Sequence, residues 1–414
     1  MYLREKYINQ IERGLQTTSI VLLIGARQVG KTHLMNSYQY NGAKLFLNGQ
    51  DPEVAELFQK LSTIETYLQV HLNTEMVGLL LLDEFQFING ISTILKLLTD
   101  KYPSLKIICS GSSSLDILQQ VEESLAGRVR VIEVFSLSFE EFLGISDTKL
   151  LNLYNACTEK TEHSALTEPL LKKMNEYLTF GGYPRMALQS DLDEKTAVLN
   201  DIYKTYLMKD NRNYVKNEHT VGFNKMLRIL AAQVGSLLNI NELCREAGLP
   251  YKKCEEYLYL LEQMYVVKLI EPYFTNKRKT ISKMKKIYFT DIGLINIVLS
   301  DFSSIELRHD NGALFENFVL LELLKNKKPA TTINYYRTTD GVEVDFVVND
   351  MQQKTAIECK YKKLTVPVGT RALTAFSEQE NIVRRLLFNQ TLNTVNKGVW
   401  FLQGYLVGKI NNTK

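Results

Sequence analysis

The chain has 414 residues, of which 45% are apolar and 23% charged, and its formal net charge is +3. This length predicts about two to four folded domains, and the near-neutral charge gives no general indication of nucleic-acid binding. The five cysteines are scattered, which argues against a zinc ribbon or a disulfide scaffold. We find neither the apolar core of a signal peptide nor a bilayer-length apolar run in the N-terminal half. We therefore expect a cytoplasmic protein with no membrane partner.

The first motif lies between a predicted strand and a predicted helix. The apolar run SIVLLI predicts a buried parallel strand, and HLMNSYQY has apolar residues at helical spacing. The segment between them follows the phosphate-loop pattern G-x-x-x-x-G-K-[ST], whose backbone N–H groups surround phosphates. The pattern assigns Lys31 to the β- and γ-phosphates and the Thr32 hydroxyl to Mg²⁺. The predicted nucleotide-binding residues are Gly25, Ala26, Arg27, Gln28, Val29, Gly30, Lys31 and Thr32.

Two further strands end in polar residues that would meet the same nucleotide. The run MVGLLLLDEFQFI ends at Asp83 and Glu84, where Asp83 would bind the metal and Glu84 would polarise the attacking water. The run SLKIICSGSSSL places Ser110 at a strand tip, where its hydroxyl would contact the γ-phosphate or the water. No N-K-x-D motif for guanine occurs, so ATP and Mg²⁺ are the predicted cofactors. The alternative is a buried strand that ends in Asp-Glu by chance.

These motifs resemble those of AAA+ ATPases, and three later segments narrow the resemblance. AGR, LSFEEF and GGYP follow in that order, as in a family of bacterial and archaeal ATPases. That family joins an AAA+ core to a C-terminal nuclease-like domain of undefined function, and the resemblance covers essentially the whole chain. It implies an arginine finger that stabilises γ-phosphate charge, in cis or from a neighbouring subunit of a homo-oligomer. Arg128 is the first candidate and Arg130 the second, with ordinary surface arginines as the alternative.

The middle of the chain predicts two helical segments with different roles. Residues 138–215 have helical periodicity and would form the lid of the ATPase. Residues 216–291 predict three helices and two strands, an arrangement typical of a winged helix-turn-helix. Lys252 and Lys253 begin the third helix, where a recognition helix would meet DNA, but two glutamates follow them. The loop between the strands carries cations that would neutralise DNA phosphates: Lys277, Arg278, Lys279, Lys283, Lys285 and Lys286. A protein-packing domain with a solvated basic loop is the alternative.

The C-terminal segment, residues 292–414, predicts a helix followed by a hairpin with converging charges. A turn centred near Met351–Gln352 would place Asp345 opposite Glu358, and Glu343 opposite Lys360. Adjacent carboxylates on facing strands are unfavourable without a cation, which favours a Mg²⁺ or Mn²⁺ site at Asp345 and Glu358. The alternative is a hairpin with a charged solvent face.

The D…E-x-K spacing, preceded by a helical glutamate, resembles the PD-(D/E)xK nucleases of the restriction-endonuclease fold. The residues that match this pattern are Glu316, Asp345, Glu358 and Lys360, while Val344 stands where the pattern has proline. The resemblance implies that the carboxylates bind the metal and that Lys360 orients or deprotonates a water for attack on a phosphodiester. Folds outlive activities, so the resemblance leaves cleavage itself open.

The predicted fold class is therefore α/β with four parts. These are an AAA+ parallel sheet (1–137), a helical lid (138–215), a winged helix-turn-helix (216–291) and a restriction-endonuclease-like domain (292–414). The predicted function is an ATP-binding and ATP-hydrolysing protein that associates with DNA through its last two parts, with a Mg²⁺-dependent nuclease domain. One alternative is a nucleotide-switched DNA- or protein-binding regulator whose nuclease-like domain is catalytically dead. Another is an oligomeric, stress-sensing signalling ATPase.

Overall fold

The computed structural model describes residues 3–112, 125–209, 215–274, 284–338, 340–350 and 353–410. The chain divides into two compact units, Met1–Ser136 with Gln263–Tyr265, and Leu137–Glu262 with Val266–Lys414. Residues 137–262 and 266–414 group together, while residues 263–265 group with the first unit.

The first unit alternates helices and strands. Its elements are α1 (Glu5–Thr17), β1 (Ile20–Gly25), α2 (Lys31–Ser37), β2 (Lys44–Asn48), α3 (Pro52–Leu57), α4 (Leu61–His71), β3 (Gly78–Asp83), α5 (Ile91–Lys101), β4 (Leu105–Ser112) and β5 (Val129–Glu133). The strands form a parallel sheet in the order β2-β3-β4-β1-β5. This confirms the predicted parallel α/β sheet.

Strands β1 and β3 are buried at every position, which explains why their sequences are continuous apolar runs instead of alternating ones. Strand β4 lies between them in the sheet. Parallel strands end at the same edge, and open α/β sheets bind ligands at the carboxyl ends of their strands. The order therefore brings the ends of β1, β3 and β4 to one place.

The second unit begins with the helical segment and continues through the three-helix segment to a mixed sheet. Its helices are α6 (Phe139–Ser146), α7 (Thr148–Ala156), α8 (Glu168–Phe180), α9 (Pro184–Ala187), α10 (Leu192–Ile202), α11 (Thr220–Ala232), α12 (Ile240–Ala247), α13 (Tyr251–Gln263), α14 (Ile292–Leu299), α15 (Asn311–Asn326) and α16 (Arg371–Gln379). Its strands are β6 (Val267–Ile270), β7 (Lys286–Phe289), β8 (Thr332–Arg337), β9 (Glu343–Asp350), β10 (Gln353–Cys359), β11 (Arg384–Asn389), β12 (Thr394–Asn396) and β13 (Val399–Gln403). None of the helices in the described ranges has the length and apolar character needed to cross a membrane.

The GGYP motif docks the helical segment onto the later part of the same unit. Gly181 has a φ of +75°, and a Cβ there would lie 2.0 Å from Asp291 Oδ1. The next amide, that of Gly182, donates a hydrogen bond to Asp291 Oδ2 at 2.9 Å. Only glycine tolerates both this conformation and this approach. The motif therefore has a packing role, as does the buried Lys325 ammonium, which donates to Leu137 O at 2.8 Å.

The element order predicted for residues 216–291 is present. Helices α11, α12 and α13 are followed by the antiparallel pair β6 and β7, and Leu237 bridges to Lys286 beside them. Of the six cations predicted for the basic loop, four lie outside the described residues: Lys277, Arg278, Lys279 and Lys283. Lys285 forms an ion pair with Glu271 at 3.2 Å.

The prediction that Lys286 belongs to an exposed, DNA-facing loop is wrong. Its side chain is only 2% exposed, because it begins strand β7 and points into the unit. A buried ammonium cannot contact a DNA phosphate. Its surroundings belong to the C-terminal carboxylate cluster described below.

The C-terminal sheet has the strand order β12-β13-β11-β10-β9-β8. Strands β9 and β10 form an antiparallel hairpin whose register pairs Gln353 with Asp350 and Ile357 with Phe346. Strand β11 lies parallel to β10 on its other side. Helix α15 packs against β10, and α16 packs against β9 and β10. The alternation of β9 buries Val344 and Phe346 and leaves Asp345 only partly buried between them.

Candidate functional site: a phosphate loop and a carboxylate cluster

The phosphate loop joins β1 to α2 with two glycines in the left-handed region. Gly25 has a φ of +149°, and a Cβ there would lie 2.1 Å from Val134 O. Gly30, directly before α2, has a φ of +92°, and Gln28 between them has a φ of +62°. These values require glycine or a tolerant polar residue. The tight loop explains the spacing of the two motif glycines.

Lys31 lies folded back into this loop. Its side chain is 6% exposed, and its ammonium donates to Gly25 O at 2.9 Å and Ala26 O at 2.7 Å. Burial lowers the pKa of Lys31 to about 8, although the nearby carboxylates of Glu84 and Asp83 oppose this shift. Burial therefore disfavours the ammonium form in the free protein. Phosphate oxygens would replace the two carbonyls as acceptors and favour that form.

Asp83 joins residues from three strand ends. Its Oδ2 accepts a hydrogen bond from Thr32 Oγ1 at 2.6 Å, and its Oδ1 accepts one from the buried Ser110 hydroxyl. Asp83 ends β3 and Ser110 lies on the neighbouring β4, while the phosphate loop brings Thr32 of α2 to the same place. A hydroxyl and a carboxylate oxygen are donors that suit Mg²⁺, which keeps waters and takes phosphate oxygens as its other ligands. The donor set therefore fits the predicted metal.

Glu84, directly after Asp83, has an unusual backbone conformation. Its φ of 49° and ψ of 42° lie in the left-handed region, which is uncommon for a residue other than glycine. Its carboxylate accepts a hydrogen bond from Gln86 Nε2. Its carbonyl approaches Gly49 so closely that a Cβ there would lie 2.6 Å away. Such local strain clusters at functional sites, and here it orients the predicted water-activating carboxylate.

Two residues at this site were not predicted. Arg4 is 6% exposed and donates from Nη1 to Val29 O and from Nη2 to Phe135 O, both at 3.0 Å. It therefore ties the start of α1 to the phosphate loop. Gln86 holds the Glu84 carboxylate. The sequence carries no motif signal for Arg4, because its contacts span 25 and 131 residues.

The structure excludes Arg128 as an arginine finger in cis. Its guanidinium forms an ion pair with Asp100, with Nε 2.6 Å from Oδ1. Strand β5 starts opposite Ile20, at the other end of β1 from the phosphate loop. A strand rises about 3.3 Å per residue, so Arg128 lies roughly 20 Å from the loop, beyond the reach of its side chain. Arg130 lies opposite Val21, near the same end. For both residues, the remaining prediction is a role as an arginine finger in trans, at the nucleotide site of a neighbouring subunit.

The second candidate site lies on the C-terminal hairpin. The observed register continues to place Asp345 opposite Glu358, as predicted. Asp345 Oδ2 accepts the Cys359 amide at 2.7 Å. The same continued register places Glu343 opposite Lys360, while the Lys360 ammonium forms its ion pair with Glu358, 2.5 Å from Oε1. The hairpin therefore brings the predicted residues together.

Helix α15 adds Glu316 to this cluster, and β7 adds an ammonium group that was not expected there. Lys286 Nζ lies 3.1 Å from Glu316 Oε1 and 2.5 Å from Glu343 Oε1. The Tyr288 hydroxyl also donates to Glu316 Oε1, at 2.6 Å. Burial lowers the pKa of Lys286, but the carboxylates of Glu316, Asp345 and Glu343 outweigh it and raise the pKa above its usual value.

The predicted metal ligands Asp345 and Glu358 each contact a donor of the protein. In the part of the chain that the structure describes, no group of three or more His, Cys, Asp or Glu side chains is arranged to hold a metal ion. Burial, together with the Glu316 carboxylate, raises the pKa of Asp345 well above its usual value. One oxygen of each of Asp345, Glu316 and Glu358 accepts a hydrogen bond or ion pair from the protein.

Three segments of the chain match known protein families. Residues 17–143 match a family described as an AAA domain. This segment is similar to AAA domains, and it contains the phosphate loop. Residues 171–304 and 311–403 match two families described as domains of unknown function, DUF8612 and DUF4143. The matches agree with the phosphate loop and leave the nature of the C-terminal domain undefined.

Several proteins are similar to this chain over most of its length. An uncharacterized protein of Methanocaldococcus jannaschii is 28% identical over 83% of this chain and 76% of its own length. An uncharacterized protein of Haemophilus influenzae is 24% identical over 87% of both chains. Among solved structures, a Walker-type ATPase of Pyrococcus abyssi is 15% identical and aligns with a TM-score of 0.49 over 72% of this chain and 96% of its own.

Proposed function

We propose that the chain hydrolyses ATP on its phosphate loop and uses the cycle to control a DNA-associated second unit. The observation that supports hydrolysis is the contact of Asp83 with both Thr32 and Ser110, directly beside Glu84. Lys31 would bind the β- and γ-phosphates, and Glu84 would take a proton from the attacking water. Mg²⁺, held through Thr32 and Asp83, would offset the charge of the phosphates. Phosphate release from ATP, measured with Mg²⁺ and with EDTA, tests this; equal rates would contradict it.

The proposal of DNA association rests on the cations in the sequence between β6 and β7 and on the exposed Lys252 at the start of α13. Replacing Lys277, Arg278, Lys279 and Lys283 by alanine is expected to weaken binding to duplex DNA. Each lost phosphate contact should reduce the slope of log K against log salt concentration by about 0.9. Fluorescence anisotropy between low and moderate salt measures this slope.

Lys285→Ala provides the matched control for this experiment. Lys285 precedes β7 and is already paired with Glu271, so its loss should change the slope little. Wild-type binding without salt dependence would make the three-helix segment a protein-packing module. An unchanged slope in the variant that lacks all four cations would mean that these cations do not contact DNA phosphates.

The C-terminal domain has two candidate functions, a nuclease and a regulator that binds without cutting. One observation favours the regulator. Glu316, Asp345, Glu358 and Lys360 come together as in the resemblance to PD-(D/E)xK nucleases, which supports a nuclease. The protein donors on their oxygens favour the alternative, a regulator whose nuclease-like domain binds without cutting. We propose the regulator.

This proposal predicts that the protein leaves DNA intact. Circular and linear duplexes incubated with Mg²⁺ or Mn²⁺, with and without ATP, should show no nicking above a buffer blank on a gel. Lys360→Ala should behave identically. Cleavage by the wild-type protein that disappears in Lys360→Ala would establish an ATP-regulated nuclease and reject the regulator.

A further inference from the structure

The carboxylate cluster of the second unit contains an ammonium group from a different element. Lys286 comes from β7, whereas its partners come from helix α15 (Glu316) and strand β9 (Glu343). The Lys286 side chain is 2% exposed, and those of Glu316 and Glu343 are 16% and 28% exposed. The carboxylates of Glu316 and Glu343 compensate the charge of this buried lysine and so offset the cost of its burial. The three elements therefore meet around one buried positive charge.

Every carboxylate of the cluster has a protein donor. Glu316 accepts from Lys286 and from the Tyr288 hydroxyl. Asp345 accepts the Cys359 amide, and Glu358 pairs with Lys360. Glu343 binds Lys286 and also Arg337, at 3.1 Å. Divalent cations need several oxygen lone pairs directed at one point. Here one oxygen each of Glu316, Asp345 and Glu358, and both oxygens of Glu343, already contact donors of the protein.

We propose that the Lys286 ammonium group is the resident cation of this cluster and that the native cluster therefore does not bind a divalent metal ion. The ammonium satisfies the same carboxylates that a metal would need, and it also ties β7 to α15 and β9. Its role is to position these elements. This inference concerns the second unit alone and does not depend on ATP hydrolysis.

Mn²⁺ binding measured by electron paramagnetic resonance tests the proposal. The protein carries Asp83→Asn and is free of nucleotide, so that the phosphate loop contributes no metal site. The Lys286→Ala variant is expected to bind one more Mn²⁺ than its parent. The affinity of this additional site should exceed any Mn²⁺ affinity of the parent's cluster by at least about tenfold. Its thermal midpoint should fall without metal and rise again with MnCl₂, because a ligand that binds only the folded state stabilises it.

Two variants control for charge and position. Lys286→Arg keeps the cation and should bind no additional Mn²⁺. Lys285→Ala removes the preceding cation, which is 40% exposed and pairs with Glu271, and should also gain no site. Adding Glu358→Gln to Lys286→Ala should weaken the new site again.

The wild-type cluster gives a direct result even if Lys286→Ala fails to fold. Mn²⁺ bound to the Asp83→Asn parent and lost on adding Glu358→Gln would overturn the proposal. A folded Lys286→Ala protein that gains no Mn²⁺ would overturn it as well. Because neither readout uses ATP turnover, both results stay separate from the test of the ATPase.

Discussion

Replacement of Glu84 by glutamine is expected to leave ATP binding intact and to slow hydrolysis by at least about 100-fold. The glutamine has the same size as glutamate, so it can keep the left-handed backbone and the close approach to Gly49. It cannot take a proton from the attacking water. Binding would be measured by calorimetry and hydrolysis by single-turnover phosphate release.

The matched control for this variant is Glu75→Gln, an exposed glutamate of the same unit. It should hydrolyse ATP like the wild-type protein. Turnover by Glu84→Gln within about threefold of wild type, where a general base typically contributes 100-fold or more, would mean that another group activates the water. Loss of ATP binding in Glu84→Gln would instead indicate that the side chain supports the fold of the loop.

Replacement of Lys31 by alanine is expected to lower the affinity for ATP by at least about 100-fold, because truncating one partner of a buried charge pair costs about 2–5 kcal/mol. In the free protein the ammonium already lies inside the loop, with Gly25 O and Ala26 O as acceptors. Binding therefore exchanges two carbonyls for phosphate oxygens without moving the lysine far. Calorimetry with MgATP measures the loss, and unchanged affinity would reject the assignment of Lys31.

Lys96→Ala is the control, since Lys96 is an exposed residue of α5 in the same unit. Its affinity for ATP should match that of the wild-type protein. A similar loss in both variants would point to a general electrostatic effect of positive charge. Circular dichroism of both variants would separate a binding defect from unfolding.

The lowered pKa of Lys31 gives this assignment a pH signature. In the free protein its pKa is about 8, so the amine is protonated below that pH and mostly neutral above it. Bound phosphates favour the ammonium form, so ATP binding takes up a proton above pH 8 and not at pH 6.5. Affinity should fall by up to about tenfold per pH unit above this point. Calorimetry in two buffers with different ionisation enthalpies detects the uptake, which Lys31→Arg should lack.

The position of Arg128 bears on how the ATPase would be completed. Its ion pair with Asp100 lies at the amino ends of the strands, while the phosphate loop lies at their carboxyl ends. An arginine finger for this site would therefore be another arginine of this chain or an arginine of a neighbouring subunit. Light scattering with and without ATP would show whether a homo-oligomer forms.

The sequence by itself determined the features that depend on local geometry. The phosphate loop needs glycines with positive φ at Gly25 and Gly30, and a motif of fixed spacing encodes them. The pair Asp83 and Glu84 could be recognised because it stands at the end of a continuous apolar run, which predicts a buried strand. The placement of Asp345 opposite Glu358 follows from the two-residue period of a hairpin once its turn is located.

Only the tertiary structure decided where side chains meet across long stretches of sequence. Lys286 looked like one cation of a basic run, yet the start of β7 turns it toward Glu316 and Glu343, 30 and 57 residues later. Arg128 looked like a finger, yet parallel pairing places it at the wrong edge of the sheet. Local patterns specify an element and its register. Which edge, face or buried charge that element meets depends on the packing of distant elements, which no short motif encodes.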